Sequence, residues 1–257
     1  MAARLTVVGT GIQSGRDFSP QALHRIKTAE KVFFLLADPV TALWLTQLNN
    51  HAESLGVFYS PKKRRIQTYK EMTDRIVSFV ERGADVCVVT YGHPGVSVYA
   101  THKAIERAKA MGVEATMMPA VSSIDCLIAD LGVDPATRGF AVFDATDFLF
   151  FRHRYDPNSS LVLTQIAVTA QGGYKKNGAY GRNGLQALIA KLVVTYGRKH
   201  RVVIYEASPY PVAEPSIQWI ALEHVPTATI SETSTLYVPP RGVAPVDEEM
   251  LRRVRVE

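Results

Sequence analysis

Apolar residues in the first half of the chain follow two alternating patterns. Four short apolar runs predict buried strands: Leu5–Val8, Lys31–Leu36, Val86–Thr90 and Val113–Met118. Three segments between them carry apolar residues at helical spacing: 20–29, 67–82 and 104–110. Ser19-Pro20 is typical of a helix start, and Gly83 is typical of a helix end. This βαβα order predicts an α/β fold with a mostly parallel sheet covered by helices.

The second half contains more strands and fewer helices. Its apolar runs predict five strands: Phe140–Phe143, Leu161–Ile166, Arg201–Tyr205, Ile217–Ala221 and Thr235–Val238. One helix is predicted at Leu185–Tyr196, and a short polar tail with a helical turn is predicted from Arg241. We therefore expect two α/β domains, at residues 1–119 and 120–257, the second with a mixed sheet. Pro119 marks the boundary.

Composition narrows the class of protein. Hydrophobic residues make up 47% of the 257 residues and charged residues 21%, as in soluble globular proteins. The net charge of +5 is dispersed except for the cluster 62–65, and no nucleic-acid-binding motif is present. No segment fits a signal peptide or a membrane span, and only two cysteines occur. We expect a cytoplasmic protein that binds neither nucleic acid nor membrane.

Two glycine-containing loops follow predicted strands. The first, Val8-Gly9-Thr10-Gly11, is a poor dinucleotide fingerprint, because its third glycine falls one residue late at Gly15; a ligand loop and a tight structural turn both remain open. The second, Tyr91-Gly92-His93-Pro94-Gly95, lies between a strand and a helix, where open α/β sheets bind ligands. We assign it a binding role, with a structural turn as the alternative.

Together these segments resemble the tetrapyrrole (corrin and porphyrin) methylases. The matching pieces are residues 8–11, residues 91–95, and Pro119-Ala120-Val121-Ser122-Ser123, where Ala120 replaces the glycine of the family pattern. The resemblance implies a two-domain fold with a cleft for S-adenosylmethionine (SAM) between the domains. It also implies that the first glycine loop serves the second substrate more than SAM.

A closer resemblance, along nearly the whole chain, is to the borosin methyltransferases, which methylate peptide backbone amides. It rests on the order and spacing of seven segments: 57–59, Arg65-x-x-x-Tyr69, 91–96, 129–135, 165–167, 203–207 and 234–240. Fungal borosins carry the substrate peptide as a C-terminal extension, whereas this chain ends at residue 257, 17 residues after Pro240. We therefore expect a split, bacterial-type enzyme of ribosomal peptide biosynthesis that acts on a separate precursor peptide.

The resemblance implies four catalytic side chains. Tyr69 would accept the amide proton, and Arg65, four residues earlier on the same helix face, would lower its pKa or hold the amide oxygen. Tyr59 would donate a hydrogen bond to that oxygen, and Tyr91 would flank the methyl group of SAM. From spacing alone, Arg65 would be read as part of a solvated charge run and Tyr69 as a core residue.

The same resemblance implies the SAM-binding residues, with S-adenosylhomocysteine as the product. One wall would be formed by Tyr91, His93, Val96 and Tyr99. The other would be formed by Ser123, Gln165, Tyr205, Ala207, Ser234 and Thr235. Gln165 is expected within an apolar strand, where a buried amide needs a partner. No metal is expected, because His and Cys do not cluster at ligand spacing.

Two alternatives to peptide methylation remain open. The protein would be a tetrapyrrole methyltransferase if its substrate were a corrin or porphyrin precursor. It would be a non-catalytic SAM-binding or peptide-binding protein if the fold had been kept without turnover. Borosin enzymes are dimers, so the resemblance also implies a homodimer. The sequence does not name the peptide or the number of methylations.

Overall fold

The computed structural model describes residues 3–13, 15–36, 38–175 and 181–254. They divide into two compact units by their contacts. Unit 1 takes its residues from Met1–Gly132, Gln171–Tyr180 and Glu206–Ser216. Unit 2 takes its residues from Val133–Ala170, Gly181–Tyr205 and Ile217–Glu257. These units are defined by the contacts within them, which do not show whether either unit folds independently. The expected domain boundary at residues 119–120 therefore stays a prediction.

A parallel sheet forms the centre of unit 1. Within the described residues its five strands are β1 (Arg4–Gly9), β2 (Lys31–Leu35), β3 (Ala52–Ser54), β4 (Asp85–Thr90) and β5 (Glu114–Met117). Their order is β3-β2-β4-β1-β5, and every measured pairing is parallel. All six residues of β4 are buried, as expected for a strand covered on both faces.

Helices cover both faces of this sheet. The helices of unit 1 are α1 (Pro20–Thr28), α2 (Pro39–Leu48), α3 (Arg65–Val80), α4 (Tyr99–Ala110) and α5 (Ser123–Leu131), and Leu55–Phe58 is a 3-10 turn. α1 and α2 pack on the face that contains Val8 and Val89, and α3 and α4 pack on the face that contains Val7 and Val88. Neighbouring strand residues point to opposite faces, so one strand supplies both cores.

Side-chain caps fix several of the helix starts. Ser19 accepts a hydrogen bond from the Ala22 amide at the start of α1, as the Ser-Pro signal predicts. Asp38 does the same for α2, a helix that the sequence reading did not predict. α4 begins at Tyr99, five residues earlier than predicted, and its first residues have no side-chain cap. A capping residue therefore marked the predicted start of α1, but the same kind of signal at α2 was missed.

The sheet of unit 2 is mixed. Its strands within the described residues are β6 (Phe140–Asp144), β7 (Ser160–Thr164), β8 (Arg201–Glu206), β9 (Ser216–Ala221) and β10 (Thr235–Val238), in the order β6-β7-β10-β8-β9. β6 and β7 are parallel, whereas β10 is antiparallel to β7 and β8. The helices are α6 (Pro135–Arg138), α7 (Ala145–Phe150), α8 (Asn183–Tyr196) and α9 (Glu248–Val254), with 3-10 turns at Ile166–Val168 and Leu222–Thr227. The predicted fold class is confirmed.

One predicted strand ends early. The run Leu161–Ile166 was expected to be continuous, but β7 ends at Thr164. Gln165 has φ 62° and ψ 31°, a left-handed conformation that cannot continue a strand. Gln165 is half-buried and lies after the strand, so its expected place within an apolar strand is wrong.

Two loops at the carboxyl edge of the parallel sheet pack backbone against backbone. Gly9 ends β1 beside Thr90, which ends β4. A Cβ atom on Gly9 would lie 2.0 Å from the Gly92 carbonyl oxygen and 2.9 Å from Cδ of Pro94. The Gly92 amide also donates to the Gly11 carbonyl oxygen at 3.0 Å. The first glycine loop therefore positions the second.

A buried carboxylate joins β1, β4 and α1 at the opposite edge. Asp85 is 2.6 Å from Arg25 Nη2 and 3.0 Å from Arg4 Nη2. Burial raises the pKa of the Asp85 carboxyl, but hydrogen bonds from Arg4 and Arg25 outweigh this and hold the pKa below its ordinary value. Asp85 thus stays charged and paired in the folded protein.

Replacement of Gly9 by alanine tests the close approach of the two loops. Because the nearest atom is a backbone oxygen, Gly9→Ala should lower the free energy of unfolding by about 3 kcal/mol in urea denaturation. Gly181→Ala is the control, since a Cβ there meets nothing within 4 Å, and it should change stability by less than about 0.5 kcal/mol. Equal stability of the two variants would contradict the packing described.

Replacement of Asp85 tests the buried ion cluster. Asp85→Asn should cost about 3 kcal/mol at neutral pH, because two arginines lose their charge partner. Asp74→Asn, which breaks an exposed pair with Arg107, should cost less than about 1 kcal/mol. Since the folded-state pKa of Asp85 is lowered, its contribution should be complete above about pH 4 and should disappear as the pH falls through that lowered value. A pH-independent difference between wild type and Asp85→Asn would argue against this ion cluster.

Candidate functional site

The carboxyl edge of the unit 1 sheet has the topology of a ligand site. β1 and β4 are neighbours, and the helices that follow them, α1 and α4, cover opposite faces of the sheet. Chains that leave adjacent strands toward opposite faces open a crevice between the strand ends. Here the crevice lies at Gly9 and Thr90, directly below the loop 91–95.

The loop 91–95 is held by its own side chains and by α4. His93 Nδ1 accepts the Gly95 amide at 3.0 Å. The Pro94 carbonyl oxygen accepts from Thr101 Oγ1 at 2.8 Å, and His102 Nε2 lies 2.8 Å from the Gly95 carbonyl oxygen. These contacts assign His93 a structural role in the turn. Its expected role in SAM binding stays a prediction.

Tyr91, the first residue of this loop, has a neutral hydroxyl group. Its phenol is partly buried, and burial, followed by the nearby Cys126 and Asp17, raises the pKa of Tyr91 to about 12. The phenol therefore stays protonated at neutral pH. A protonated phenol can flank a ligand or donate a hydrogen bond, and it is unsuited to accept a proton.

α3 leads into β4 and runs in the opposite direction, so its first residues lie at the edge of the sheet where β4 ends. Arg65 and Tyr69 therefore lie at the same edge as the loop 91–95. Arg65 is the first residue of α3, and Tyr69 follows one turn later on the same face. The Tyr69 ring stacks on the Tyr99 ring, with centroids 6.1 Å apart and planes at 29°. The shared helix face that the sequence predicts is confirmed.

A segment distant in sequence packs against this helix start. The Gly172 carbonyl oxygen accepts the Arg65 amide at 3.0 Å, and Gly173 forms a bridge with Arg64. The Tyr59 and Tyr174 rings lie 4.9 Å apart. Residues 172–174 therefore hold Tyr59 and Arg65 in place. No motif in the sequence predicts this contact.

The expected binding residues of unit 2 collect at one edge of its sheet. Tyr205 pairs with Thr235 across β8 and β10, and Leu163 pairs with Leu236 across β7 and β10. Gln165 follows the carboxyl end of β7, so it lies at the same edge as Ser234 and Thr235. Tyr205, Ser234 and Thr235 are buried. Ala207 directly follows β8, and Ser123 is the first residue of α5 in unit 1.

In the described part of the chain, three residues other than glycine have a left-handed backbone: Ser97 before α4, Gln165 after β7 and Ala170 after the 3-10 turn Ile166–Val168. Ser97, Gln165 and Ala170 have positive φ angles of 57°, 62° and 57° although none is glycine. Such conformations cost free energy and concentrate at ligand and active sites. Ser97 and Ala170 were not selected from the sequence, because nothing in their residue type signals a left-handed backbone.

Two buried hydroxyl groups at the carboxyl edge of unit 1 were also missed. Thr68 Oγ1, beside Tyr69, and Thr90 Oγ1, beside Tyr91, have no hydrogen-bond partner among the described residues. Buried hydroxyl groups usually have a partner, which a ligand or an ordered water can supply. They are therefore further polar groups at the edge where the candidate residues lie.

The described residues at this edge offer a glycine backbone and aromatic surface to a ligand. Gly92 has no side chain and no neighbour closer than 3.6 Å to a Cβ built on it, and Tyr91 and Tyr99 offer aromatic surface. Among the described residues, no group of three His, Cys, Asp or Glu side chains is placed to hold a metal ion. No helix in the described part of the chain is long and apolar enough to cross a membrane.

Comparison with known proteins agrees with this fold. Residues 4–210 match the family Tetrapyrrole (Corrin/Porphyrin) Methylases. The uroporphyrin-III-C-methyltransferase from Thermus thermophilus has the same fold, with a TM-score of 0.65, 18% identity, and coverage of 97% of this chain and 100% of that chain.

Two fungal proteins are more similar in sequence. The methyltransferase and ribosomally synthesized cyclic peptide omphalotin A precursor of Omphalotus olearius is 35% identical over 99% of this chain and 62% of its own length. The methyltransferase and type I borosin cyclic peptide precursor of Coprinopsis marcescibilis is 34% identical over 99% of this chain and 67% of its own length. The chain thus spans about two thirds of these relatives, and it belongs to the tetrapyrrole (corrin/porphyrin) methylase family and, within it, to the borosin group.

Proposed function

We propose that this protein is a SAM-dependent methyltransferase that methylates backbone amide nitrogens of a peptide. The observation that carries the proposal is the placement of Arg65 and Tyr69 on one face of the first turn of α3, with Tyr69 stacked on Tyr99. The relatives, each a methyltransferase joined to a cyclic peptide precursor, support a peptide substrate.

Backbone N-methylation needs a proton acceptor and a group that holds the carbonyl oxygen. The amide nitrogen is a poor nucleophile, because its lone pair is delocalised into the carbonyl group. The Tyr69 oxygen accepts the N–H proton, and the guanidinium of Arg65 binds the amide oxygen. Tyr59 donates a hydrogen bond to the same oxygen and stabilises its developing negative charge.

The cofactor proposed is SAM, bound by the residues that the family resemblance implies. SAM supplies an electrophilic methyl group and leaves as S-adenosylhomocysteine. Tyr91 flanks that methyl group as a neutral phenol, in agreement with its raised pKa. The other binding residues proposed are His93, Val96, Tyr99, Ser123, Gln165, Tyr205, Ala207, Ser234 and Thr235.

The alternatives are weaker on the same observations. Similarity to the uroporphyrin-III-C-methyltransferase is 18% identity, which supports the fold alone, whereas the peptide-precursor relatives reach 35%. A non-catalytic binding protein would not need the Arg65 and Tyr69 pair. The split arrangement, with a separate precursor peptide, the homodimer and the cytoplasmic location stay predictions.

The proposed catalytic pair is tested with synthetic Gly/Val peptides and with peptides encoded beside the gene. Wild-type protein with SAM should add one or more methyl groups, detected by mass spectrometry. Tyr69→Phe and Arg65→Ala should each slow methylation about 100-fold or more, because proton transfer and charge stabilisation are lost. SAM affinity by calorimetry should change little.

Lys70→Ala is the matched control, because Lys70 is exposed on the same helix and should leave the rate unchanged. Full methylation by both Tyr69→Phe and Arg65→Ala would remove these residues from the mechanism. SAM binding without methylation of any peptide or tetrapyrrole would favour the non-catalytic protein.

Gln165 allows a separate test of the SAM-binding residues. Asparagine tolerates the left-handed backbone at this position. Gln165→Asn moves the side-chain amide back by one methylene group, and this should weaken SAM binding about 10-fold in calorimetry. Ala170→Asn is the control, because Ala170 has a similar φ of 57° and no proposed contact with SAM. Equal SAM affinity of the two variants would exclude Gln165 from the binding site.

A further inference from the structure

A cavity opens beside Tyr91, on the other side from the proposed SAM-binding residues of unit 1. It has a volume of about 180 Å³ and lies wholly within unit 1. Its walls come from the loop after β1, the loop after β2, the start of α2 and the segment 209–211. The lining residues are Ile12, Leu36, Asp38, Val40, Thr41, Tyr91, Pro209, Tyr210 and Pro211.

The order of the strands separates this cavity from the cofactor residues. β2 and β5 lie on opposite sides of the β4–β1 pair. Val96 and Tyr99 lead into α4, which packs against β5, and Ser123 follows β5. The cavity lies on the β2 side, so Tyr91 stands between the two regions.

The walls of the cavity are mainly apolar, and the carboxylate and the threonine hydroxyl among them are already paired. Asp38 accepts hydrogen bonds from the Thr41 hydroxyl and amide and from the Val40 amide, so neither Asp38 nor Thr41 requires a polar ligand. The Thr41 hydroxyl bond in particular lowers the pKa of Asp38. The cavity therefore presents apolar surface beside one fixed negative charge, which disfavours an acidic occupant.

One rim of the cavity is held rigid. Gln13 Nε2 donates to the Ser208 carbonyl oxygen at 3.3 Å, and Ser208 Oγ donates to the Tyr210 carbonyl oxygen at 2.9 Å. Pro209 and Pro211 fix the backbone on either side of Tyr210. A rigid rim keeps its shape without a ligand, which favours selection of one side-chain size.

We propose that this cavity, the Tyr91 subsite, binds one aliphatic side chain of the substrate peptide, next to the residue that is methylated. This inference rests on the proposed function. The cavity volume corresponds to about six molecules of liquid water, which is enough for a branched aliphatic side chain. Because Tyr91 borders both the subsite and the proposed methyl position, a side chain in the subsite fixes which backbone amide is presented.

The test places a large side chain in the subsite by a substitution at the exposed start of α2. Synthetic Gly peptides carry a single Val, Leu or Glu at each position in turn, and methylation is located by tandem mass spectrometry. Wild-type protein should prefer Val or Leu over Gly at one position flanking the methylated residue by about 10-fold in kcat/KM, and should disfavour Glu there. Val40→Trp should lower kcat/KM on the Val and Leu peptides to the value on the Gly peptide, with the SAM affinity unchanged.

Leu43→Trp is the matched control, since Leu43 is also exposed on α2 but does not line the cavity. It should keep the wild-type preference. A Val40→Trp variant that still prefers Val or Leu, or a wild type without any positional preference, would overturn the subsite. A wild type that methylates no peptide would overturn the proposed function and, with it, this inference.

Discussion

The close approach of Gly9 to the Gly92 carbonyl oxygen is the contact on which the candidate site depends. It brings the ends of β1 and β4 together without any side chain between them. The loop 91–95 can then lie directly over the strand ends, where the Gly92 amide donates a hydrogen bond to the Gly11 carbonyl oxygen. The glycines that look like a nucleotide fingerprint in the sequence therefore act first as a packing surface, and a side chain at Gly9 would displace the loop that carries Tyr91.

Three groups of side chains take their positions from that loop. Tyr91 stands between the cavity on the β2 side and the residues that lead into α4. His93 and Thr101 fasten the loop to itself and to α4, and α4 in turn supplies Tyr99, on which Tyr69 stacks. The polar chemistry proposed for Tyr69 and Arg65 is thus connected to the Gly9 contact through packed elements of one unit.

The sequence predicted most of the strands and the body of α3, because buried apolar runs and helical spacing are local signals, but α3 begins two residues earlier than predicted. The Ser19-Pro20 start of α1 was equally clear, whereas α2 was missed although Asp38-Pro39 carries the same kind of signal. The contact of residues 172–174 with Tyr59 and Arg65 joins distant parts of the chain and has no local pattern. The left-handed Gln165 was read as part of a strand, since an apolar run does not reveal where the backbone turns. The loop 91–95 was assigned a binding role from its position, but Arg65 and Tyr69 were found only through the family resemblance, because an arginine in a charge run and a tyrosine on an apolar face are common in any helix.

The central claim is that the methyl group goes to a backbone nitrogen. The most direct measurement is NMR of a Gly/Val peptide incubated with this protein and SAM carrying a ¹³C-labelled methyl group. The account predicts a labelled methyl carbon bonded to a backbone nitrogen, together with loss of the amide proton signal of that same residue. A labelled methyl on a side chain with every backbone amide proton retained would contradict it.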